Sequence, residues 1–248
     1  MLRFSFFALI LLIGCSDSRE VRLQKFLLKG NIEAEARNFD QASYYFREAL
    51  ELDSCYIDAW NNLGTIYHLQ KRYDEAVMQY TKALQCDSNF VLALINRANS
   101  NLELKKNELA IRDFEVVIGN HPDSIPILFS LGLAYNNMRQ FDQAMKWYFK
   151  VLVIDKNNME AMVNIGVTNY SLKEYDTARS YLMKTITSTE KSNAFNALAL
   201  IEMEIGEYSL ADEWIEKALS EKPKDPFFLN NRDILICFAR IWTLRFWI

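Results

Sequence analysis

Residues 57–90 read IDAWNNLGTIYHLQKRYDEAVMQYTKALQCDSNF, and their spacing predicts two helices joined by a short turn. Trp60, Gly64 and Tyr67 recur at helical intervals, and a polar break follows at Lys71. A second run with the same period comes after this break and comprises Ala76, Tyr80, Ala83 and Leu84. The stretch is therefore predicted to be one helix pair.

The same pattern recurs along the chain. The first small residue of the second helix returns at intervals of 34, 34, 34, 34 and 33 residues, as Ala42, Ala76, Ala110, Ala144, Ala178 and Ala211. A fixed period of this length is typical of repeat proteins, in which each unit buries its apolar faces against its neighbours. The predicted repeats, numbered 1 to 6, are 23–56, 57–90, 91–124, 125–158, 159–191 and 192–225.

Small residues mark the predicted crossing of the two helices in each repeat. The first helix has glycine or alanine at one position of every repeat, namely Gly30, Gly64, Ala98, Gly132, Gly166 and Ala199. A larger side chain there would push the helices apart. Aromatic residues of the second helices, Phe46, Tyr80, Phe114 and Tyr148, are predicted to fill the space between repeats.

These columns resemble the tetratricopeptide repeat (TPR), a helix pair with Leu, Gly or Ala, and Tyr in its first helix and Ala, an aromatic residue, Ala and Pro in its second. The resemblance covers residues 23–225. It implies an all-α fold, a right-handed superhelical solenoid of about six TPR helix-turn-helix repeats. It also implies a protein that binds other proteins.

Charged residues recur around the turn inside each repeat. Basic residues are predicted at the end of the first helices, where they face the negative pole of the helix dipole: Arg37, Lys71, Lys105, Arg139 and Lys173. The residues three positions later are predicted to be N-caps of the second helices: Asp40, Asp74, Asp142, Asp176 and Ser209. The charge pattern is interpreted as a solvated, capped turn.

The N-terminus has the features of a secretory signal. Arg3 precedes the apolar run 4–13, which is too short to span a bilayer as a permanent helix. The following Gly14 and Cys15 resemble the lipobox of bacterial lipoproteins, which are cleaved before a cysteine that then carries a diacylglycerol. This resemblance implies a signal peptide, 1–14, then lipidated Cys15 and a short tether, 15–22. An ordinary cleaved signal and a buried N-terminal helix are the alternatives.

The lipobox implies a location as well. A lipidated Cys15 would anchor the chain to a membrane of the bacterial cell envelope. By the proteobacterial sorting rule, Ser16 after the cysteine favours the outer membrane, facing the periplasm. The leaflet stays open, because that rule does not transfer to all bacteria.

In the TPR family the first helices line a concave groove that holds extended peptides or partner helices. The matching columns here are rich in Asn, apolar and short of cations, so a carboxylate clamp of Lys and Arg is not predicted. Their Asn side chains could hold a peptide backbone or brace neighbouring helices, and both interpretations stay open. The candidate groove residues are Asp58, Asn61, Asn62, Thr65, His68, Ile95, Asn96, Asn99, Glu103, Phe129, Ser130, Leu133, Asn136, Asn137, Val163, Asn164, Val167, Tyr170, Asn193, Asn196, Leu200 and Met203.

Composition and motifs argue against other functions. A formal net charge of −4 with interspersed charges gives no support for nucleic-acid binding. His68 and His121 lie more than one repeat apart without a nearby nucleophile pattern or metal-ligand spacing. No Gly-rich phosphate loop is present. We therefore predict no catalysis, cofactor, metal or small-molecule substrate, and interpret Cys55 and Cys86 as small buried residues rather than a disulfide.

The segment 226–248 begins a seventh repeat in register and then departs from the pattern. Its last part, ILICFARIWTLRFWI at 234–248, is apolar nearly all round, whereas the last helix of a solenoid normally shows water a polar face. It could be a capping helix that packs on a partner or a second copy, an amphipathic segment at a membrane, or the product of a frameshifted or truncated reading frame. The abrupt loss of register slightly favours the last.

These features together predict a non-catalytic, membrane-anchored TPR scaffold or adaptor for protein–protein interactions at the bacterial envelope. An alternative is a pilotin-like assembly factor for the outer-membrane channel of a secretion system or type IV pilus, because six-repeat lipoproteins of this kind resemble pilotins. A regulatory subunit of a cell-wall enzyme is a further alternative.

Overall fold

The computed structural model describes the backbone of residues 18–245 and the side chains of residues 18–238. This part of the chain is helical throughout and contains no strand. The predicted all-α class is therefore confirmed. The helices are α1 Arg19–Glu35, α2 Phe39–Leu52, α3 Ile57–Leu69, α4 Tyr73–Cys86, α5 Val91–Glu103, α6 Asn107–Asn120, α7 Ile125–Asn137, α8 Phe141–Ile154, α9 Met159–Ser171, α10 Tyr175–Met183, α11 Lys191–Ile205, α12 Tyr208–Glu221 and α13 Pro226–Arg245.

Consecutive helices pack as pairs within two compact units. The N-terminal unit ends at Ser100 and the C-terminal unit begins at Asn101. In the N-terminal unit, α1 packs on α2 and α3 on α4 around Phe46, Ala59 and Leu63. In the C-terminal unit the pairs are α7 with α8, α9 with α10 and α11 with α12.

The glycine column lies where the paired helices approach most closely, as predicted. A Cβ added at Gly64 would lie 2.6 Å from Cε1 of Tyr80, so the ring sits directly on the glycine. Phe46 and Tyr148 cover Gly30 and Gly132 in the same way. These rings thus fill space within their own repeat, and Tyr148 also clusters with residues of the following repeat.

Each first helix ends in a turn closed by two backbone hydrogen bonds. After α3, the N–H of Lys71 donates to the His68 carbonyl (2.8 Å) and that of Arg72 to the Tyr67 carbonyl (2.9 Å). This is the Schellman arrangement, which requires a left-handed residue just beyond the helix. The basic column occupies that position, with φ between 57° and 63° at Arg37, Lys71, Lys105, Arg139 and Lys173. These residues therefore follow the first helices rather than ending them.

The predicted N-caps are wrong by two residues. Five of the six second helices begin at an aromatic residue, for example Tyr73 in α4, which places Asp74 in the first turn. Arg72, the N-cap of α4, is also the residue that closes the turn after α3, so one residue serves both helices. The turn is shorter than the sequence suggested. Asp40, Asp74, Asp142, Asp176 and Ser209 thus lie in first turns, where the four aspartates face the positive pole of the dipole.

Repeat 6 has glycine where the other turns have Lys or Arg, and this allows a clean test. Gly206 has φ 86°, and no heavy atom lies within 4 Å of the place its Cβ would occupy. Gly206→Ala should therefore lower the free energy of unfolding by about 1 kcal/mol through backbone strain alone. Gly119→Ala is the control: it also meets no neighbour but has a helical backbone. It should raise the free energy of unfolding in urea by about 0.5–1 kcal/mol. If both variants change the free energy of unfolding in the same direction, the strain argument is contradicted.

Cys55 and Cys86 form a disulfide with a Cα–Cα distance of 5.5 Å. The interpretation of these residues as unpaired buried fillers is therefore wrong. Cys55 lies in the turn before α3 and Cys86 is the last residue of α4. Folding of the helix pair brings these two ends together, although 31 residues separate them in sequence.

The last helix, α13, is only partly covered. It buries Phe228 and Leu235 in a cluster with α12, whereas Phe227 remains 75% exposed. Side chains after Phe238 lie outside the described residues, so the three interpretations of the tail stay predictions. The proposed signal peptide, 1–14, and Cys15 also lie outside them. No helix in the described ranges is long and apolar enough to cross a membrane.

Candidate partner-binding groove

All of the predicted groove residues lie on first helices. Those of repeat 2 are on α3, and those of repeat 3 are on α5. The others are on α7, α9 and α11. The two compact units divide the set after Asn99, so the N-terminal and C-terminal members are described separately.

In the N-terminal unit, Asn side chains bond to one another between helices. Asn96 Nδ2 donates to Asn61 Oδ1 (3.0 Å), and Asn61 Nδ2 donates to Asn62 Oδ1 (3.2 Å). Asn62 Nδ2 then donates to Asn31 Oδ1 (2.9 Å), so the chain of amides crosses α5, α3 and α1. Asn61 is 6% exposed. These contacts favour the bracing interpretation for this part of the set.

His68 is braced in the same manner. Its Nδ1 lies 2.8 Å from Oγ of Ser100, which is fully buried and donates to the Asn96 carbonyl (2.9 Å). Sequence reasoning missed Ser100 as its partner. The repeat pattern could have indicated Ser100, because another hydroxyl residue, Thr168, occupies the same position two repeats later. Thr168 donates in turn to Oδ1 of Asn136 (3.1 Å).

Hydrogen bonds between Asn side chains of different helices recur in the C-terminal unit. Asn231 Nδ2 donates to Asn196 Oδ1 (2.8 Å), joining α13 to α11 with the same 35-residue separation as the Asn96–Asn61 pair. This contact explains why 226–248 starts in register. Asn196 therefore braces neighbouring helices in the C-terminal unit, whereas Asn164 donates to the Glu160 carbonyl within α9 (2.9 Å).

A groove opens in the C-terminal unit between α7, α9 and α11. The positions that hold Asn61 and Thr65 in repeat 2 are both apolar in repeats 4 and 5, where they hold Phe129 and Leu133, then Val163 and Val167. The groove has a volume of about 430 Å³. It is lined by Phe129, Leu133, Glu160, Val163, Asn164, Val167, Tyr170, Ser171, Glu190, Asn193, Asn196, Ala197 and Leu200.

Most of these lining residues were predicted, and the remainder are Glu160, Ser171, Glu190 and Ala197. Glu160 lies three residues before Val163 on α9, so helical spacing places both on one face. That signal could have identified Glu160. Glu190 precedes α11 in a turn that is one residue shorter than in the other repeats, which hid its place in the pattern.

The groove is acidic at one end. Glu160 is in the first turn of α9 and Glu190 is the N-cap residue of α11. Burial raises the pKa of the Glu160 carboxyl, and the negative charge of Glu190 raises it further. No Lys or Arg is among the lining residues. Nowhere in the described side chains do three His, Cys, Asp or Glu residues gather as a metal site.

A buried hydroxyl lies beneath the same helices. The Tyr148 hydroxyl has no hydrogen-bond partner, and burial raises the pKa of this phenol strongly. Its counterpart Tyr80 donates to Oγ1 of Thr65 (3.4 Å). In repeat 4, Leu133 occupies the position that Thr65 has in repeat 2. The leucine makes the groove apolar at this position and also leaves the Tyr148 hydroxyl without a partner.

The two tyrosines make a matched pair for substitution. Tyr148→Phe removes an unpaired buried hydroxyl and should raise the free energy of unfolding by about 1 kcal/mol. Tyr80→Phe removes a bonded hydroxyl and leaves Thr65 without that donor, so it should lower stability by about 0.5–1 kcal/mol. Urea denaturation of both variants checks the sign. Equal changes in both would show that the hydroxyl of Tyr148 has a partner.

Sequence profiles of the tetratricopeptide repeat match residues 57–90, 92–124, 125–158 and 192–225, together more than half of the chain. The chain belongs to the tetratricopeptide repeat family. The prediction of an all-α array of about six TPR helix pairs is thereby confirmed. TPR proteins mediate protein–protein interactions, and a protein-binding role follows at that level. No curated protein matches the sequence at a significant level.

Solved structures share the fold of this TPR chain. A TPR protein from Parabacteroides merdae superposes with a TM-score of 0.81 at 20% identity, covering 88% of this chain and 87% of that chain. PilF from Pseudomonas aeruginosa gives 0.68 at 20% identity, over 88% of this chain and 99% of that chain. YrrB, described as a TPR protein with an unusual peptide-binding site, superposes with a TM-score of 0.64 at 20% identity. The superposition covers 73% of this chain and 97% of that chain. At these identities the likeness concerns the fold alone.

Proposed function

We propose that the chain is a non-catalytic, membrane-anchored TPR scaffold that binds a partner protein of the bacterial envelope in the groove of α7, α9 and α11. The observation that carries this proposal is the groove itself. Its floor includes Phe129, Leu133 and Val167, and its volume is about 430 Å³. Open apolar surface rimmed by polar residues is typical of a protein interaction site. Membership of the TPR family supports the same role.

The lining residues support binding rather than catalysis. Their titratable side chains are Glu160, Glu190 and Tyr170, without a Ser, Cys or Lys nucleophile paired with a base. Burial raises the pKa of Tyr170, and the nearby Glu204 raises it further, so this phenol stays protonated near neutral pH. A groove of this composition can hold an apolar segment.

Export to the envelope is supported by the disulfide. Disulfides persist in oxidising compartments such as the bacterial periplasm and are rare in the cytosol. Cys55 and Cys86 are paired, which agrees with the signal and lipobox resemblance around Cys15. In the source cells, labelled palmitate should be incorporated into the wild-type chain and lost in Cys15→Ser, with release from the membrane fraction. Label retained in the variant would overturn the anchor at Cys15.

The groove is tested by photocrosslinking in cells from a benzoylphenylalanine placed at Asn164 on its rim. A discrete crosslinked partner protein is expected. It should disappear when Val167→Arg puts a charge on the apolar floor. Val153→Arg is the matched control, because Val153 lies on α8 outside the groove and is 78% exposed. A crosslink that survives Val167→Arg, or no crosslinked protein at all, would contradict the proposal.

A pilotin-like role is the second candidate. The observation in its favour is the correspondence with PilF, which covers 99% of that chain. Under this role, deletion of the gene should abolish the multimeric form of an outer-membrane channel protein, and Cys15→Ser should fail to restore it. A crosslinked channel protein would support the pilotin-like role, whereas a crosslinked cell-wall enzyme would support a regulatory subunit instead.

A further inference from the structure

The acidic end of the groove lacks an internal counter-charge. Glu160 and Glu190 lie at the N-terminal ends of α9 and α11 and line the groove together. Among the described side chains, Asn193 bonds to Glu190, and its Nδ2 donates to Oε2 (3.1 Å). No ion pair of Glu160 or Glu190 occurs with any described residue.

Two cations on the flanking segments are paired with other carboxylates. Lys191, next to Glu190 in sequence, has its Nζ 2.9 Å from Oε1 of Glu221. Arg179, on the neighbouring α10, is bound to Glu202 through two hydrogen bonds of 3.1 and 3.0 Å. Neither cation lines the groove. The groove lining therefore supplies no positive charge to Glu160 and Glu190, and a cation on the occupant would be complementary to them.

Apolar side chains continue from the two glutamates along the groove. Val163 and Val167 follow Glu160 on α9, and Leu200 faces them from α11. Ten helical residues separate Glu160 from Tyr170, a length of about 15 Å. An extended segment of about five residues covers this distance. The occupant can thus place one charged residue at the acidic end and several apolar residues beyond it.

We propose that the groove binds a segment of a partner protein in which one Lys or Arg is followed within about five residues by apolar side chains. The cation lies between Glu160 and Glu190, and the apolar side chains cover Val163, Val167 and Leu200. The pair of carboxylates also rejects acidic segments, because like charges in a partly desolvated site are strongly unfavourable. This inference rests on the proposed function of the groove and specifies the chemistry of its partner.

The test is selection of random peptides displayed on phage against the purified full chain. The charge-neutral variant carries Glu160→Gln with Glu190→Gln. A matched control carries Glu213→Gln with Glu216→Gln, two exposed glutamates on α12 outside the groove, which changes the net charge equally. Peptides that bind the wild-type chain should be enriched in Lys or Arg next to apolar residues. A synthetic copy of the best peptide should bind the charge-neutral variant about tenfold more weakly and the control with unchanged affinity.

The outcomes separate this inference from the proposed function. Enriched apolar peptides without a basic residue, or equal affinity for the charge-neutral variant, would overturn the cation preference while leaving groove binding intact. Binding that Val167→Arg does not weaken would place the peptides elsewhere and overturn both. If no peptide is enriched on the wild-type chain compared with the Val167→Arg variant, both the cation preference and the groove-binding function are overturned.

Discussion

Replacing Arg179 with Met should lower the free energy of unfolding of the C-terminal unit by about 3 kcal/mol. The reason is the carboxylate of Glu202, which is 2% exposed and is neutralised by Arg179 from α10. Losing the cation leaves that buried charge uncompensated. The expected value lies at the lower end of the range for buried pairs, because the Arg179 side chain is 35% exposed.

Two further variants distinguish this explanation from loss of packing by a long side chain. Asp176→Asn removes the fully exposed partner of Arg179 and should change stability by less than about 0.5 kcal/mol. Arg179→Met combined with Glu202→Leu removes both charges and should recover most of the lost stability. Urea midpoints give the size of each effect, and hydrogen exchange should show faster opening of α10 and α11 in Arg179→Met. A double variant as unstable as the single one would rule out the electrostatic cause.

Removing the Cys55–Cys86 disulfide should lower the free energy of unfolding by about 3–4 kcal/mol. The bond closes a loop that contains the whole α3–α4 pair, and the two cysteines are 31 positions apart in sequence. Opening it restores conformational freedom to the unfolded chain. This should hold for the variant with both cysteines replaced by Ser.

Reduction provides the internal control for this prediction. Dithiothreitol should shift the urea midpoint of the wild-type chain towards that of the double Ser variant and leave the variant itself unchanged. Mass spectrometry of a non-reduced digest should contain the peptide that joins Cys55 to Cys86. Finding both cysteines as free thiols in protein purified without reductant from the source cells would contradict the pairing.

The repeat pattern predicted the fold because the residues that make it are local. Residues equivalent to Gly64, Ala76 and Tyr80 recur at a fixed period. The contact between Tyr80 and Gly64 lies within one helix pair. Periodicity could not place the helix starts. Arg72 closes the turn after α3 and is also the N-cap of α4, and this shared role depends on the left-handed backbone at Lys71.

The candidate site was predicted less completely, since its features depend on contacts between repeats. The sequence placed Asn61 and Asn96 on the first helices, but their mutual hydrogen bond requires the packing of one repeat on the next. The acidic end of the groove arises from Glu160 and Glu190, which lie 30 positions apart in sequence and meet because α9 and α11 start at the same end of the groove. Likewise, Cys55 and Cys86 meet only after a complete helix pair has folded.

Leu133 is one position at which stability and the proposed partner binding favour different residues. It lines the groove, and it also occupies the place where a threonine would give the buried Tyr148 hydroxyl a partner. Selection for thermal resistance alone should therefore favour Leu133→Thr, whereas selection for partner binding should retain leucine. The residue that becomes enriched at position 133 under each kind of selection would show whether stability or partner binding determines the choice of leucine.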